Sequence, residues 1–153
     1  MILIRLSNPG DAPVLFDIWH SAVRSTHHFL TDEDIAFYAR CVRDDYIPST
    51  QFVVATTEAD RPLGFMGMTG RMIDSLFVDP AWHGRGIGRA LIASALRDGP
   101  DLRVDVNAQN PGALEFYRRL GFREVGRSEL DGSGRPFPLI HLARGDRDAS
   151  RRS

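Results

Sequence analysis

Between Asp11 and Val23 the apolar residues Val14, Leu15, Ile18, Trp19, Ala22 and Val23 recur every three or four positions. That is the period of a helix with one face against a core. Pro13 falls in the first turn of this helix, where a missing N–H costs little. Thr31 followed by Asp32, Glu33 and Asp34 opens a second helix: the hydroxyl caps it, and the acids suit the positive end of its dipole. That helix runs to Asp44–Tyr46, ahead of Pro48. Before both helices, Met1–Leu6 forms a short strand closed by the turn residues Ser7-Asn8-Pro9-Gly10.

The middle of the chain changes period. Gln51–Thr57 and Leu63–Thr69 flank the polar connection Glu58–Pro62, which predicts a hairpin. Met72–Val78 is apolar on both faces apart from Asp74 and Ser75, as a central strand is. The glycine-rich turn His83–Gly88 then leads into a helix over Arg89–Arg97. Leu102–Asn107 alternates, with Val104 and Val106 on one side and Arg103, Asp105 and Asn107 on the other. Asn110-Pro111 starts a last helix that runs to Leu120, and Gly121 stops it. Phe122–Leu130 and Pro138–Ala143 are the last two strands. This order predicts an α/β (α+β) fold. About six or seven strands form a central mixed, mostly antiparallel sheet with one helix-connected parallel pair, flanked by about four helices. One domain is expected over residues 1–145, with 146–153 a flexible tail.

Composition removes several kinds of chemistry. All 19 positive side chains are arginine, so Walker-type phosphate loops and Schiff-base catalysis, which need a lysine amine, are excluded. The lone Cys41 rules out an internal disulfide and cysteine-rich zinc sites. A formal net charge of −1 argues against a dedicated nucleic-acid binder, and a four-residue apolar run before Arg5 is too short for a signal peptide. A cytoplasmic protein without a membrane span or a metal, monomeric or homodimeric, is the expectation.

The chemistry concentrates where Gly84, Gly86 and Gly88 sit between a strand and a helix. Glycines there leave several N–H groups pointing at one spot, reinforced by the helix dipole, and such a site holds phosphate or pyrophosphate. Arg85 and Arg89 flank it. A Rossmann fingerprint would need glycine in place of Arg89 and would normally follow the first strand of its fold.

The segment LFVDPAWHGRGIGRAL resembles the acyl-CoA signature of the GNAT superfamily of N-acetyltransferases, Gln/Arg-x-x-Gly-x-Gly/Ala after a central strand, with His83 in place of the first Gln or Arg. Asn110-x-x-Ala113-x-x-Phe116-Tyr117-x-x-x-Gly121-Phe122 is similar to that family's second hallmark. The resemblance covers essentially the whole chain and is closest to small bacterial members. It implies a fold whose central strand bulges and splays from its neighbour, and a direct transfer of acetyl from acetyl-CoA to a primary amine. The acceptor would be a protein lysine, an N-terminal amine or a small molecule.

By that resemblance the backbone of Leu76, Phe77 and Val78 pairs with the pantetheine arm, and the residues His83, Gly84, Arg85, Gly86, Ile87, Gly88 and Arg89 hold the pyrophosphate. Asn110 contacts the cofactor arm, and Tyr117 protonates the departing thiolate. An amine with a pKa of ~10.4 must lose its proton before attack. Asp105 and Asp74 are both candidates for that base, as is relay through ordered water. Trp19, His27, His28 and Tyr38 would line the acceptor side. The alternative from another class is a non-catalytic acyl-CoA-binding module.

Overall fold

The computed structural model describes residues 1–145; the tail expected from Asp146 onward lies outside the described residues. Seven strands are present among the described residues: β1 (Leu3–Leu6), β2 (Val53–Thr56), β3 (Pro62–Thr69), β4 (Met72–Val78), β5 (Leu102–Asn107), β6 (Arg123–Ser128) and β7 (Leu139–Arg144). The helices are α1 (Ala12–Thr26), α2 (Asp32–Cys41), α3 (Ile87–Leu96) and α4 (Pro111–Arg119). Strand order is β1-β2-β3-β4-β5-β7-β6, with β4 and β5 parallel and β1·β2, β2·β3, β5·β7 and β6·β7 antiparallel. The mixed, largely antiparallel sheet with four helices is thus as predicted. Most element ends move by one or two residues, and two helix boundaries differ for a physical reason. Helix α3 begins at Ile87 rather than Arg89, because Gly88 is tolerated inside its first turn. Helix α2 stops at Cys41 and passes into a π turn over Val42–Tyr46.

The described residues fall into two compact units. The first comprises Met1–Met68 and Ser75–Ala95, the second Thr69–Asp74 and residues 96–145. In the first unit, α1 buries the apolar stripe read from its sequence: Leu15, Ile18, Trp19 and Val23 pack with Ile35, Ile47, Phe52, Val54 and Phe65. The entry to α1 is fixed by charge. Arg5 donates to both carboxylate oxygens of Asp11 at 2.8 and 3.0 Å, and Asp11 also accepts from the Asn8 amide at 2.9 Å. The guanidinium holds the Asp11 carboxyl below the usual carboxylate range. Thr31 caps α2, accepting from the Asp34 amide at 3.1 Å, while Asp34 accepts from the Thr31 amide.

The π turn is clamped from its far end. The Tyr46 hydroxyl lies 2.6 Å from Ser75 Oγ on β4, and Ser75 Oγ accepts from the Gly67 amide on β3 at 3.2 Å. Gly67 has to be glycine: a Cβ there would collide with the Tyr46 hydroxyl and stand 2.9 Å from Ser75 Oγ.

In the second unit, Leu102, Val104 and Val106 of β5 are buried with Ile140 and Leu142 of β7. The intervening residues Arg103 and Asp105 are exposed. Pairing of β4 with β5 joins Met72 to Arg103 and Ile73 to Val104. β7, the last strand, lies between β5 and β6. Among the described residues no helix is long and apolar enough to cross a membrane.

Candidate active site

After β4, the Asp79 carboxylate accepts from the Ala81 amide at 3.0 Å and caps a single 3₁₀ turn over Pro80–Trp82. The chain then turns through Gly84 at φ +76° and Gly86 at φ +82°, left-handed conformations that side chains other than glycine's rarely adopt. Buried Ile87 anchors the start of α3. The first amide to bond back into the helix is that of Ala90, which donates to the Gly86 carbonyl at 2.9 Å. The amides from Gly84 to Arg89 therefore have no partner among the described residues. Nothing lies within 4 Å of where a Cβ at Gly84 or Gly86 would stand, so the bend is open rather than plugged by its own side chains. Arg85 lies over the Trp82 ring at 5.0 Å, and His83 and Arg89 are exposed beside it. Unpaired amides at a helix start, with arginines alongside, form a cradle for a doubly charged phosphate group.

Leu76, Phe77 and Val78 are half-buried at the end of β4. β3 approaches closely there: a Cβ on Gly64 would stand 2.9 Å from the Phe77 carbonyl oxygen. In the second unit, Asn110 caps α4 by accepting from the Ala113 amide at 3.2 Å. Its side-chain NH₂ is left without a partner among the described residues. Tyr117 is 5% exposed and lies edge-on to Phe122, with ring centroids 5.2 Å apart. Its hydroxyl makes no hydrogen bond among the described residues, and burial raises its pKa well above that of an ordinary phenol. Such a phenol stays protonated at neutral pH.

The two candidate carboxylates are both engaged. Asp74 accepts from the Thr69 hydroxyl at 2.6 Å, and Asp105 Oδ1 lies 2.6 Å from His141 Nδ1. His141 is absent from the candidates read from the sequence, and its contacts lie 36 and 13 residues away. The signal that could have found it is the alternation of Ile140 and Leu142, which leaves position 141 on the polar face of β7.

The four acceptor-side residues divide. Trp19 is 5% exposed within the core of the first unit, so packing claims its ring, as the helical stripe around it implied. Tyr38 packs against the same core, and His28 is exposed. His27 Nδ1 lies 2.8 Å from Thr26 Oγ1, whose own proton goes to the Ala22 carbonyl at 2.8 Å. The imidazole must therefore donate through Nδ1, leaving the Nε2 lone pair free. Burial, and then repulsion by His28, lowers its pKa and keeps it neutral. No group of three or more metal-ligating side chains occurs among the described residues.

A family model described as an acetyltransferase (GNAT) domain matches residues 28–137, which takes in the glycine bend, the Asn110–Phe122 segment and both candidate carboxylates. The chain belongs to the GNAT acetyltransferase family. It is 42% identical over 142 residues to the peptidyl-lysine N-acetyltransferase YjaB of Salmonella typhimurium, covering 93% of this chain and 97% of that one. The solution structure of apo YjaB from Escherichia coli superposes with a TM-score of 0.89 at 41% identity, covering 95% of this chain and 99% of that one. The PaiA N-acetyltransferase of Thermoplasma acidophilum, solved in complex with coenzyme A, shares the fold at a TM-score of 0.77 and 18% identity, over 95% of this chain and 99% of that one. As a GNAT enzyme the chain is an acyltransferase that moves an acetyl group from acetyl-CoA to an amine.

Proposed function

We propose that this enzyme acetylates the side-chain amine of lysine in other proteins, in the cytoplasm, by direct attack of the amine on the thioester. Identity along nearly the whole chain to a peptidyl-lysine N-acetyltransferase supports this substrate class. The observation that carries the reading is the open bend from Gly84 to Arg89 with its unpaired amides. Those amides, with Arg85 and Arg89, hold the pyrophosphate of acetyl-CoA. The backbone of Leu76–Val78 takes the pantetheine arm, and the free NH₂ of Asn110 contacts it. A backbone N–H near Val78 receives the oxyanion of the tetrahedral intermediate. The Tyr117 hydroxyl, uncommitted to any protein acceptor, protonates the departing sulfur. Asp74, Asp105 or an ordered water relay takes the proton of the acceptor amine, while His27, His28 and Tyr38 border the acceptor.

Titration calorimetry with coenzyme A, followed by thiol release from acetyl-CoA over lysine peptides, peptides with only an α-amine, and polyamines, tests this reading. Saturable coenzyme binding together with release on lysine peptides is expected. Binding without release on any amine would favour the non-catalytic module. Release on polyamines alone would overturn the protein-lysine assignment, and absence of binding would overturn the whole scheme.

A further inference from the structure

Three adjacent strands of the second unit line up a carboxylate, an imidazole and a hydroxyl. Asp105 of β5 stands opposite His141 of β7, which stands opposite Gly126 of β6. Asp105 Oδ1 lies 2.6 Å from His141 Nδ1, and His141 Nε2 lies 2.6 Å from Ser128 Oγ. Ser128 comes two residues after Gly126 and so shares its face of β6. Gly126 leaves room for the ring to lean toward the serine: a Cβ there would stand 3.3 Å from His141 Cδ2.

The hydrogens of this triad have one consistent order. A carboxylate only accepts, so Nδ1 carries the hydrogen and donates it to Asp105. Nε2 is then the acceptor, and the Ser128 hydroxyl donates to it. A hydroxyl bonded to an imidazole that a carboxylate orients is the arrangement that makes serine a nucleophile, whatever the order of the three along the chain. The triad is open to solvent. The side chains of His141 and Asp105 are each about one-third exposed, and β6 is an edge strand with β7 as its one neighbour. The amides of Glu129 and Leu130, which follow Ser128, donate to nothing among the described residues. An N–H directly after the nucleophile is a proven donor to the oxyanion of acyl transfer. Val125 and Leu130 are 53% and 51% exposed, apolar ground three residues before the serine and two after it.

We propose that Ser128, His141 and Asp105 form a hydrolytic site that cleaves small acyl esters with a good leaving group, aryl acetates among them. The proposal does not draw on the acetyl-transfer reading. Ser128 Oγ attacks the ester carbonyl as its proton passes to His141 Nε2, and the imidazolium is held against the Asp105 carboxylate. The C–O bond to the alcohol breaks, and the departing oxygen takes the proton from His141. Water then attacks the acyl-serine and gives a proton to His141. The acid leaves, and Ser128 recovers its hydrogen from the imidazolium. One ester and one water become one acid and one alcohol, with the triad returned unchanged. Ser128 and His141 are the catalytic residues here, and Asp105 is the positioning residue that fixes the ring.

The test treats the whole chain with a fluorophosphonate, which phosphonylates activated serines, and with p-nitrophenyl acetate. A single adduct by intact mass, mapped to Ser128 by peptide sequencing, is expected on the wild type, together with turnover of the ester. Ser128→Ala and His141→Gln are each expected to abolish the adduct and lower hydrolysis about 10²-fold or more. Ser128→Ala is expected to keep acetyl transfer from acetyl-CoA within about 3-fold of wild type. Asp105→Asn is expected to slow labelling as far as His141→Gln does, and Asp105→Glu, which restores a carboxylate, to recover it, a rescue that a packing role would not produce. A wild-type chain without an adduct at Ser128 would overturn the site whether or not the variants fold. So would hydrolysis within about 3-fold of wild type in either Ser128→Ala or His141→Gln. Loss of acetyl transfer along with hydrolysis in Ser128→Ala would overturn the independence of the two activities. A wild-type chain that takes the label at Ser128 but binds no coenzyme A would overturn the acetyl-transfer reading and support this one.

Discussion

Gly67→Ala is a small change with a calculable cost. The new methyl would occupy the space of the Tyr46 hydroxyl and stand 2.9 Å from Ser75 Oγ and 3.1 Å from Phe52 Cε1. Phe52 cannot yield: it is 1% exposed and wedged edge-on between Tyr46 and Phe65, at 5.2 and 5.0 Å. Tyr46 has to move, breaking its 2.6 Å bond to Ser75. Overpacking costs about 1–3 kcal/mol and the lost hydrogen bond about 1 kcal/mol more, for a total of about 2–4 kcal/mol. Tyr46→Phe alone costs only about 0.5–1.5 kcal/mol, because Ser75 keeps the Gly67 amide as a partner. Losing the phenol oxygen removes the hardest of these contacts while those with Ser75 and Phe52 remain, so the double variant is expected to be less destabilised than the sum of the two single variants. Urea unfolding of the four proteins reads the coupling: a midpoint loss of about 1 M or more for Gly67→Ala, and a smaller one when Tyr46→Phe is already present. Strict additivity would refute the collision as the source of the cost.

Tyr117→Phe is expected to leave the unfolding free energy from urea titration within about 1 kcal/mol of wild type, since no hydrogen bond is lost, yet lower the transfer rate about 10²-fold; an unchanged rate would reject its acid role. Gly86→Ala forces a side chain into φ +82°, a strain of about 1–2 kcal/mol, so coenzyme A affinity by calorimetry should fall about 10-fold. The lowered pKa of His27 means the unfolded chain takes up a proton first as pH falls below ~6.5. Stability is therefore complete above that pH and declines beneath it, and His27→Gln should flatten melting curves recorded between about pH 5 and 7. With no lysine in the sequence, incubation with acetyl-CoA should add at most one acetyl group by intact mass, on the α-amine; a second would signal transfer to oxygen or sulfur.

Local chemistry made much of the fold legible. Asn110-Pro111 and Gly121 bound α4 because a cap, a fixed φ and a left-handed stop act within a few residues. Alternation gave Leu102–Asn107 to the residue for the same reason. The π turn at Val42–Tyr46 was hidden, since the clamp on Tyr46 is made with Ser75, 29 positions on. The glycine bend was readable from its spacing, whereas the pairing of Asp105 with His141 depends on strand register that no local pattern encodes. Trp19 stands on the helical apolar stripe, and its ring packs in the core of the first unit.

Because the final strand slots between two that precede it, neither β5 nor β6 has its β7 neighbour until Leu139–Arg144 has left the ribosome. A chain released before Leu139 would carry β6 with no β7 ladder and β5 bare on one side, along with Asp105 lacking its histidine. Premature termination should thus yield an inert, sticky fragment for proteases to clear, rather than a half-working acetylase loose in the cell.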